Sequence, residues 1–117
     1  MKLYEIVEIL NATVLTGSEH LHRDISNCGA SDLMSQVLSG LSEHSLLLTG
    51  LTTVQTFRTA LIAGIGAVVF VRGKMPNADT IEMARNEGLP LLATELTLFA
   101  SCGKLYGSGM RGLDGAI

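Results

Sequence analysis

From residue 45 onward the chain alternates short, wholly apolar runs with longer stretches in which apolar residues recur every three or four positions. The short runs are Ser45–Thr49 (SLLLT), Ala67–Val71 (AVVFV) and Pro90–Ala93 (PLLA), and each is followed by a polar turn carrying Thr, Arg or Lys. A continuous apolar run of this length suits a strand whose sheet is covered by helices on both faces. Three strand–helix repeats predict a mostly parallel sheet, with the loops after the strands emerging together at one edge. Ligands bind at that edge in such folds. The pattern therefore predicts a location for a site before it says anything about chemistry.

The first half reads less regularly. Leu3, Ile6, Val7 and Leu10 keep helical spacing, so residues 2–11 form an amphipathic helix closed near Asn11. Thr13–Thr16 is a short β-type run ended by Gly17, residues 18–24 are polar, and Ile25–Cys28 is a short strand or an extended link. Ser31 is placed to cap a helix whose apolar stripe is Leu33, Met34, Val37, Leu38 and Leu41. In the repeating half, Thr52 and Gln55 fit a capping box for a helix that buries Val54, Phe57, Leu61 and Ile62 and stops at Gly64. Asn77 caps the next helix, with Ile81, Met83, Ala84 and Gly88 completing it. Thr94 or Glu95 opens a last helix through Leu98, Phe99 and Cys102. The tail over residues 103–117 holds Gly103, Gly107, Gly109, Gly112 and Gly115, too much glycine for a regular element.

Composition narrows this to a single α/β domain over residues 1–117, a mostly parallel central sheet flanked by helices. The chain is 47% apolar but only 4% aromatic, so Leu, Ile, Val, Ala and Met must build the core. A net charge of −3 argues against nucleic acid and anionic membranes, both of which need a basic face. Cys28 and Cys102 show no framework spacing and fit a reducing compartment. Glu5 and Glu8 interrupt the apolar stretch that a signal peptide would need, and the apolar run Ala60–Val71 is too short to span a bilayer. The expected setting is cytoplasmic.

The candidate ligand residues follow from the predicted edge. Thr49, Gly50, Thr52 and Thr53 offer hydroxyls and backbone N–H groups at a helix start, which suits an anionic or polar ligand. Arg72, Gly73 and Lys74 put two cations beside a glycine at the next strand end, a clamp for phosphate or carboxylate, and Thr94 adds a hydroxyl. Each residue also has a plainer reading, because Thr is an ordinary cap, Gly an ordinary turn residue, and Arg and Lys are usually solvated. Ser31 and Asp32 read first as cap and dipole partners of a helix, with Asp32 and Ser35 as an alternative pair facing a pocket or partner. His20, His22 and Cys28, with Asp24, His44 or Cys102 as a fourth ligand, could meet at a metal, but surface histidines on a loop are the favoured reading, so neither metal nor cofactor is expected.

Motifs for catalysis are missing. There is no G-x-x-x-x-G-K-[ST], and Gly107-Ser108-Gly109-Met110-Arg111-Gly112 spells G-x-G-x-x-G in the tail with no strand before it. No nucleophile elbow accompanies the serines and histidines, so no enzyme is expected.

The stretch from Gly50 to Pro76, G-L-T-T-V-Q-T-F-R-T-A-L-I-A-G-I-G-A-V-V-F-V-R-G-K-M-P, resembles the DRTGG domain family. Gly50, Gln55, Ala60, Gly73 and Pro76 keep the family pattern, while Leu51-Thr52 stands for its Asp-Arg pair and Arg72-Gly73-Lys74 for its Thr-Gly-Gly. Ala30-Ser31-Asp32-Leu33 and Leu92-x-Thr94-x-x-Thr97-x-Phe99 also resemble stand-alone members. The resemblance implies a fold like the N-terminal domain of HPr kinase/phosphorylase and the domain that opens the Mur ligases. It implies a regulatory or assembly module, a homodimer, and a redox-enzyme partner of the hydrogenase type. A kinase activity is not implied, because the kinase's phosphate loop lies in a domain that does not align with these residues. The leading expectation is a non-catalytic module that binds a small anion or docks on such a partner. The alternative is a structural dimeric subunit without a ligand.

Overall fold

In the computed structural model, which describes residues 1–113 apart from the Leu38 side chain, five strands form one sheet in the order β1-β5-β4-β3-β2. The chain runs α1 (Leu3–Leu10), β1 (Thr13–Thr16), β2 (Asn27–Ala30), α2 (Met34–Leu38), β3 (Ser45–Thr49), α3 (Val54–Ala63), β4 (Ala67–Phe70), α4 (Ala78–Glu87), β5 (Leu91–Ala93) and α5 (Leu98–Gly107). Strands β2 to β5 are parallel, and β1 pairs antiparallel with β5. The fold class is thus α/β, as the apolar runs predict.

Alternation along the strands divides the core in two. Leu46, Leu48, Ala67, Val69 and Leu92 face α1 and α5, where Leu3, Ile6, Leu10 and Leu105 meet them. Leu47, Val68, Phe70 and Leu91 face α2, α3 and α4, meeting Val37, Phe57, Ala60 and Ala84. Both faces of β3 and β4 are fully buried, which is why these strands are unbroken apolar runs.

Connection handedness explains the layering. The strands β2, β3, β4 and β5 follow one another in the sheet, so successive crossovers of one hand lay α2, α3 and α4 on a single face. After β5 the chain turns the other way, and α5 packs beside α1. The loops after β4 and β5 therefore leave the sheet in opposite directions. Divergence of adjacent loops is the condition that opens a crevice at the carboxyl edge.

Several expected boundaries shift. Strand β2 begins at Asn27 rather than Ile25, because Ile25 is instead buried in the core beside α1. Helix α2 starts at Met34, and Ser31 Oγ does not cap it but accepts the Leu33 N–H at 2.9 Å and donates to Gln36. Thr53, not Thr52, caps α3, with its hydroxyl accepting the Thr56 N–H. Thr97, rather than Thr94 or Glu95, caps α5. Asn77 caps α4 as its position after Pro76 predicts.

The burial pattern also departs from expectation. Val54, Ile62, Leu33 and Phe99 are exposed, Phe99 at 89%, while Thr56 and Thr59 take the inward positions of α3. Gly103 and Gly107 lie inside α5, so the glycine-rich tail is helical over its first residues. Met110 is then buried against the core, and Arg111 bridges to Asn27 on the β2 edge. Glycine content was a poor guide there because packing of Leu98, Cys102 and Leu105 holds the helix. Gly115 and the Leu38 side chain lie outside the described residues.

Candidate functional site

Register brings the expected loops together. Thr49 pairs with Phe70, and Val71 N donates to the Thr49 carbonyl at 3.0 Å, so the ends of β3 and β4 are level. Val71–Lys74 is a tight turn, with Arg72 at φ 60 and Gly73 at φ 68, and Lys74 N donates back to the Val71 carbonyl. Two central residues with positive φ make it a primed turn, which ordinarily selects Gly or Asn. Arg72 is a non-glycine residue held in the left-handed region, where a Cβ is disfavoured by about 1–2 kcal/mol. Strain of that kind concentrates at functional positions.

The turn is strapped to the β5 loop. Arg72 N donates to the Leu96 carbonyl and Gly73 N to the Thr94 carbonyl, both at 2.8 Å. The backbone N–H groups of the turn are thereby spent inside the fold, and what remains for a ligand are side chains. Arg72 lies across Gly50, where a Cβ would come within 2.5 Å of its guanidinium. Gly50 thus leaves the space the guanidinium occupies. Among the described residues neither Arg72 nor Lys74 forms an ion pair within 4 Å or a side-chain hydrogen bond, and both are exposed.

Asp32 reaches this ledge from the other side. Its Oδ1 accepts the Thr49 hydroxyl and the Gly50 N–H, each at 2.8 Å. Those two bonds, the Gly50 N–H first, hold the Asp32 carboxyl below the ordinary carboxylate value, and the charges of Arg72 and Lys74 add to the effect. Asp32 is therefore not the cap of α2, whose N-cap residue is Leu33. It ties the β2–α2 link to the end of β3.

The remaining candidates divide into scaffold and surface. Thr49 and Thr94 are buried; Thr49 Oγ1 also accepts the Leu51 N–H, and Thr94 Oγ1 donates to the Leu10 carbonyl at 2.7 Å while accepting the Leu96 N–H. Thr53 caps α3, Thr52 is half-buried, and Ser35 is exposed on α2. Glu95 had no place among the candidates, yet its carboxylate lies against Gly73, where a Cβ would meet Oε2 at 2.6 Å. A hollow of about 100 Å³ between the two diverging loops is lined by Gly73, Met75, Thr94 and Glu95, and by Asn11 and Thr13 from the opposite end of the chain. Nothing local in the sequence signals the last two, because antiparallel pairing of β1 with β5 delivers them.

His20 and His22 stay on the loop before β2, whereas Cys28 faces α5. Among the described residues no three His, Cys, Asp or Glu side chains converge to hold a metal, and no helix is long and apolar enough to cross a membrane.

Comparison with known proteins bears on this geometry. A family model for the DRTGG domain matches residues 5–106. The fold resembles the solved structure of the CBS and DRTGG domains of the regulatory region of Clostridium perfringens pyrophosphatase, complexed with activator, diadenosine tetraphosphate. That likeness has a TM-score of 0.78 at 15% identity, over 97% of this chain and 48% of that one. The chain thus spans about half the length of the structure it resembles, and the likeness is one of fold. No curated protein matches the sequence.

Proposed function

This chain belongs to the DRTGG domain family, and from that premise we propose that it is a non-catalytic regulatory module binding a small anionic ligand at the carboxyl edge of its sheet. The observation that carries the reading is Arg72, a cation held in a strained left-handed backbone beside Lys74, with neither charge paired within 4 Å among the described residues. Arg72 supplies the directional fork and Lys74 a mobile charge. Gly50 makes room for the Arg72 guanidinium and Gly73 for the Glu95 carboxylate, and Thr52 and Thr53 offer hydroxyls at the start of α3. Thr49 and Thr94 serve as scaffold. Asp32 and Glu95 offset the two cations, so recognition rests on guanidinium geometry more than on a broad positive field.

A nucleotide polyphosphate is the first class to try, since the fold neighbour is complexed with diadenosine tetraphosphate. The test is direct binding of diadenosine tetraphosphate, ATP and inorganic triphosphate, alongside thermal shift, in the wild type and in Arg72→Ala/Lys74→Ala. Binding to the folded state raises Tm by mass action. The expected result is a rise in Tm that the double variant loses while keeping its fold; equal affinity in both proteins would overturn the site.

A second reading is favoured by helix α5, whose Phe99 and Tyr106 are 89% and 52% exposed on either side of Gly103. Such a face suits a homodimer contact or a redox-enzyme partner of the hydrogenase type in the cytoplasm. Size-exclusion with light scattering tests the dimer, with Phe99→Ser/Tyr106→Ser expected to give monomer.

A further inference from the structure

We propose that Cys28, Cys102 and Met110 form a three-sulfur site for a soft monovalent cation, cuprous copper being the ion to test. The three residues come from separate segments, β2, α5 and the turn after α5, and line one cavity of about 180 Å³. Neither cysteine is in a disulfide, and among the described residues the hydrogen-bond approach of the Cys28 thiol is a long 3.8 Å one to the carbonyl of Gly29. Ala30 and Leu105 complete an apolar wall. Among the described residues lining it there is no carboxylate for a hard cation such as magnesium or calcium, whereas thiolate and thioether sulfur selects soft ions. With two cysteines and no third His, Cys, Asp or Glu among the described residues, four-coordinate zinc is not served. A low-coordinate ion is.

The segment carrying Met110 is fastened in place. Cys28 N donates to the Arg111 carbonyl at 3.0 Å, and Met110 N donates to the Leu105 carbonyl. The Arg111 guanidinium lies 4.3 Å over the Tyr106 ring and donates to the Met110 and Tyr106 carbonyls. Arg111 is itself one of the residues that line the cavity. It would balance the single negative charge of a copper(I) ion bound by two thiolates and a neutral thioether. On binding, two S–H bonds break, both protons go to solvent, and the metal keeps its oxidation state.

The test is an anaerobic titration of the reduced full chain with copper(I) against bicinchoninate, with near-ultraviolet thiolate-to-copper absorption as a second readout. One equivalent per chain is expected, with no change in oligomeric state and a rise in Tm. Cys102→Ser, at a half-buried position, should weaken binding by more than the roughly 10–100-fold that outer-shell changes produce. Met110→Leu conserves volume and both thiols, and should weaken it about tenfold or more. Binding that survives Cys102→Ser, binding unchanged in Met110→Leu, or a complex formed only by joining two chains would each overturn the site.

Discussion

The Asp32 carboxylate holds the Thr49 hydroxyl at 2.8 Å, and the same oxygen takes the Gly50 N–H, so one exposed acid fixes the end of a fully buried strand. The link spans 17 residues of sequence and sets where the ledge beneath Arg72 lies.

Asp32→Asn tests that link through pH. Hydrogen bonds to a charged group contribute about 1.5–3 kcal/mol, and solvent exposure brings the expected loss down to about 1 kcal/mol. Because these bonds lower the folded-state pKa of Asp32 from 3.8, its contribution is present above that value and is lost as pH falls through the folded value. Urea melts should show a constant gap between wild type and variant at neutral pH, closing in strong acid. A gap that persists at pH 2 would mean the charge is not what matters.

How much of this was legible in the sequence differs by distance along the chain. Strands β3, β4 and β5 were readable because burial on both faces leaves an unbroken apolar signature. Helix starts at Thr53 and Thr97 were missed by one to three positions because each is preceded by further Thr or Glu residues of equal capping chemistry. Amphipathicity misplaced Ile62 and Val54 because α3 turns two threonines, Thr56 and Thr59, toward the sheet. Arg72, Gly73 and Lys74 could be placed at the edge from the strand before them. The roles of Thr94 and Asp32 could not, since their partners Leu10 and Thr49 are joined to them only by the fold.

Arg72→Gly should raise stability while removing ligand affinity. Glycine adopts φ 60 without the Cβ penalty, and its greater unfolded-state freedom returns part of the gain, leaving about 0.5–1 kcal/mol. Arg72→Ala keeps the strain and should gain nothing. Chemical denaturation of both variants, with triphosphate binding measured in parallel, separates strain from charge. A destabilised Arg72→Gly would show that the arginine side chain holds the fold instead.

Cys28 makes stability fall at alkaline pH. Burial, with a smaller contribution from Cys102, pushes its thiol from 9.0 up to about 12. A folded-state pKa raised in this way contributes stability that is intact below the unfolded value and is lost as pH rises from about 9 toward 12. Comparison with Cys28→Ser isolates the contribution of this one thiol. The wild type should lose stability more steeply than the variant over that window, by up to about 1.4 kcal/mol per pH unit. Parallel slopes would show that the thiol is as free to ionise folded as unfolded.

Thr94→Val distinguishes scaffold from ligand site at the residue where the two readings diverge most. The Thr94 hydroxyl is buried, donates to the Leu10 carbonyl at the end of α1, and accepts the Leu96 N–H that precedes the strap to Arg72. Valine matches its shape but leaves both backbone groups without that partner, at an expected loss of about 1–3 kcal/mol. Thr94→Ser restores the hydroxyl and should recover most of the loss. Triphosphate affinity, measured well below the melting temperature, should stay within twofold of wild type in both variants. The opposite pattern, unchanged stability with weakened binding, would move Thr94 out of the scaffold and into contact with the ligand.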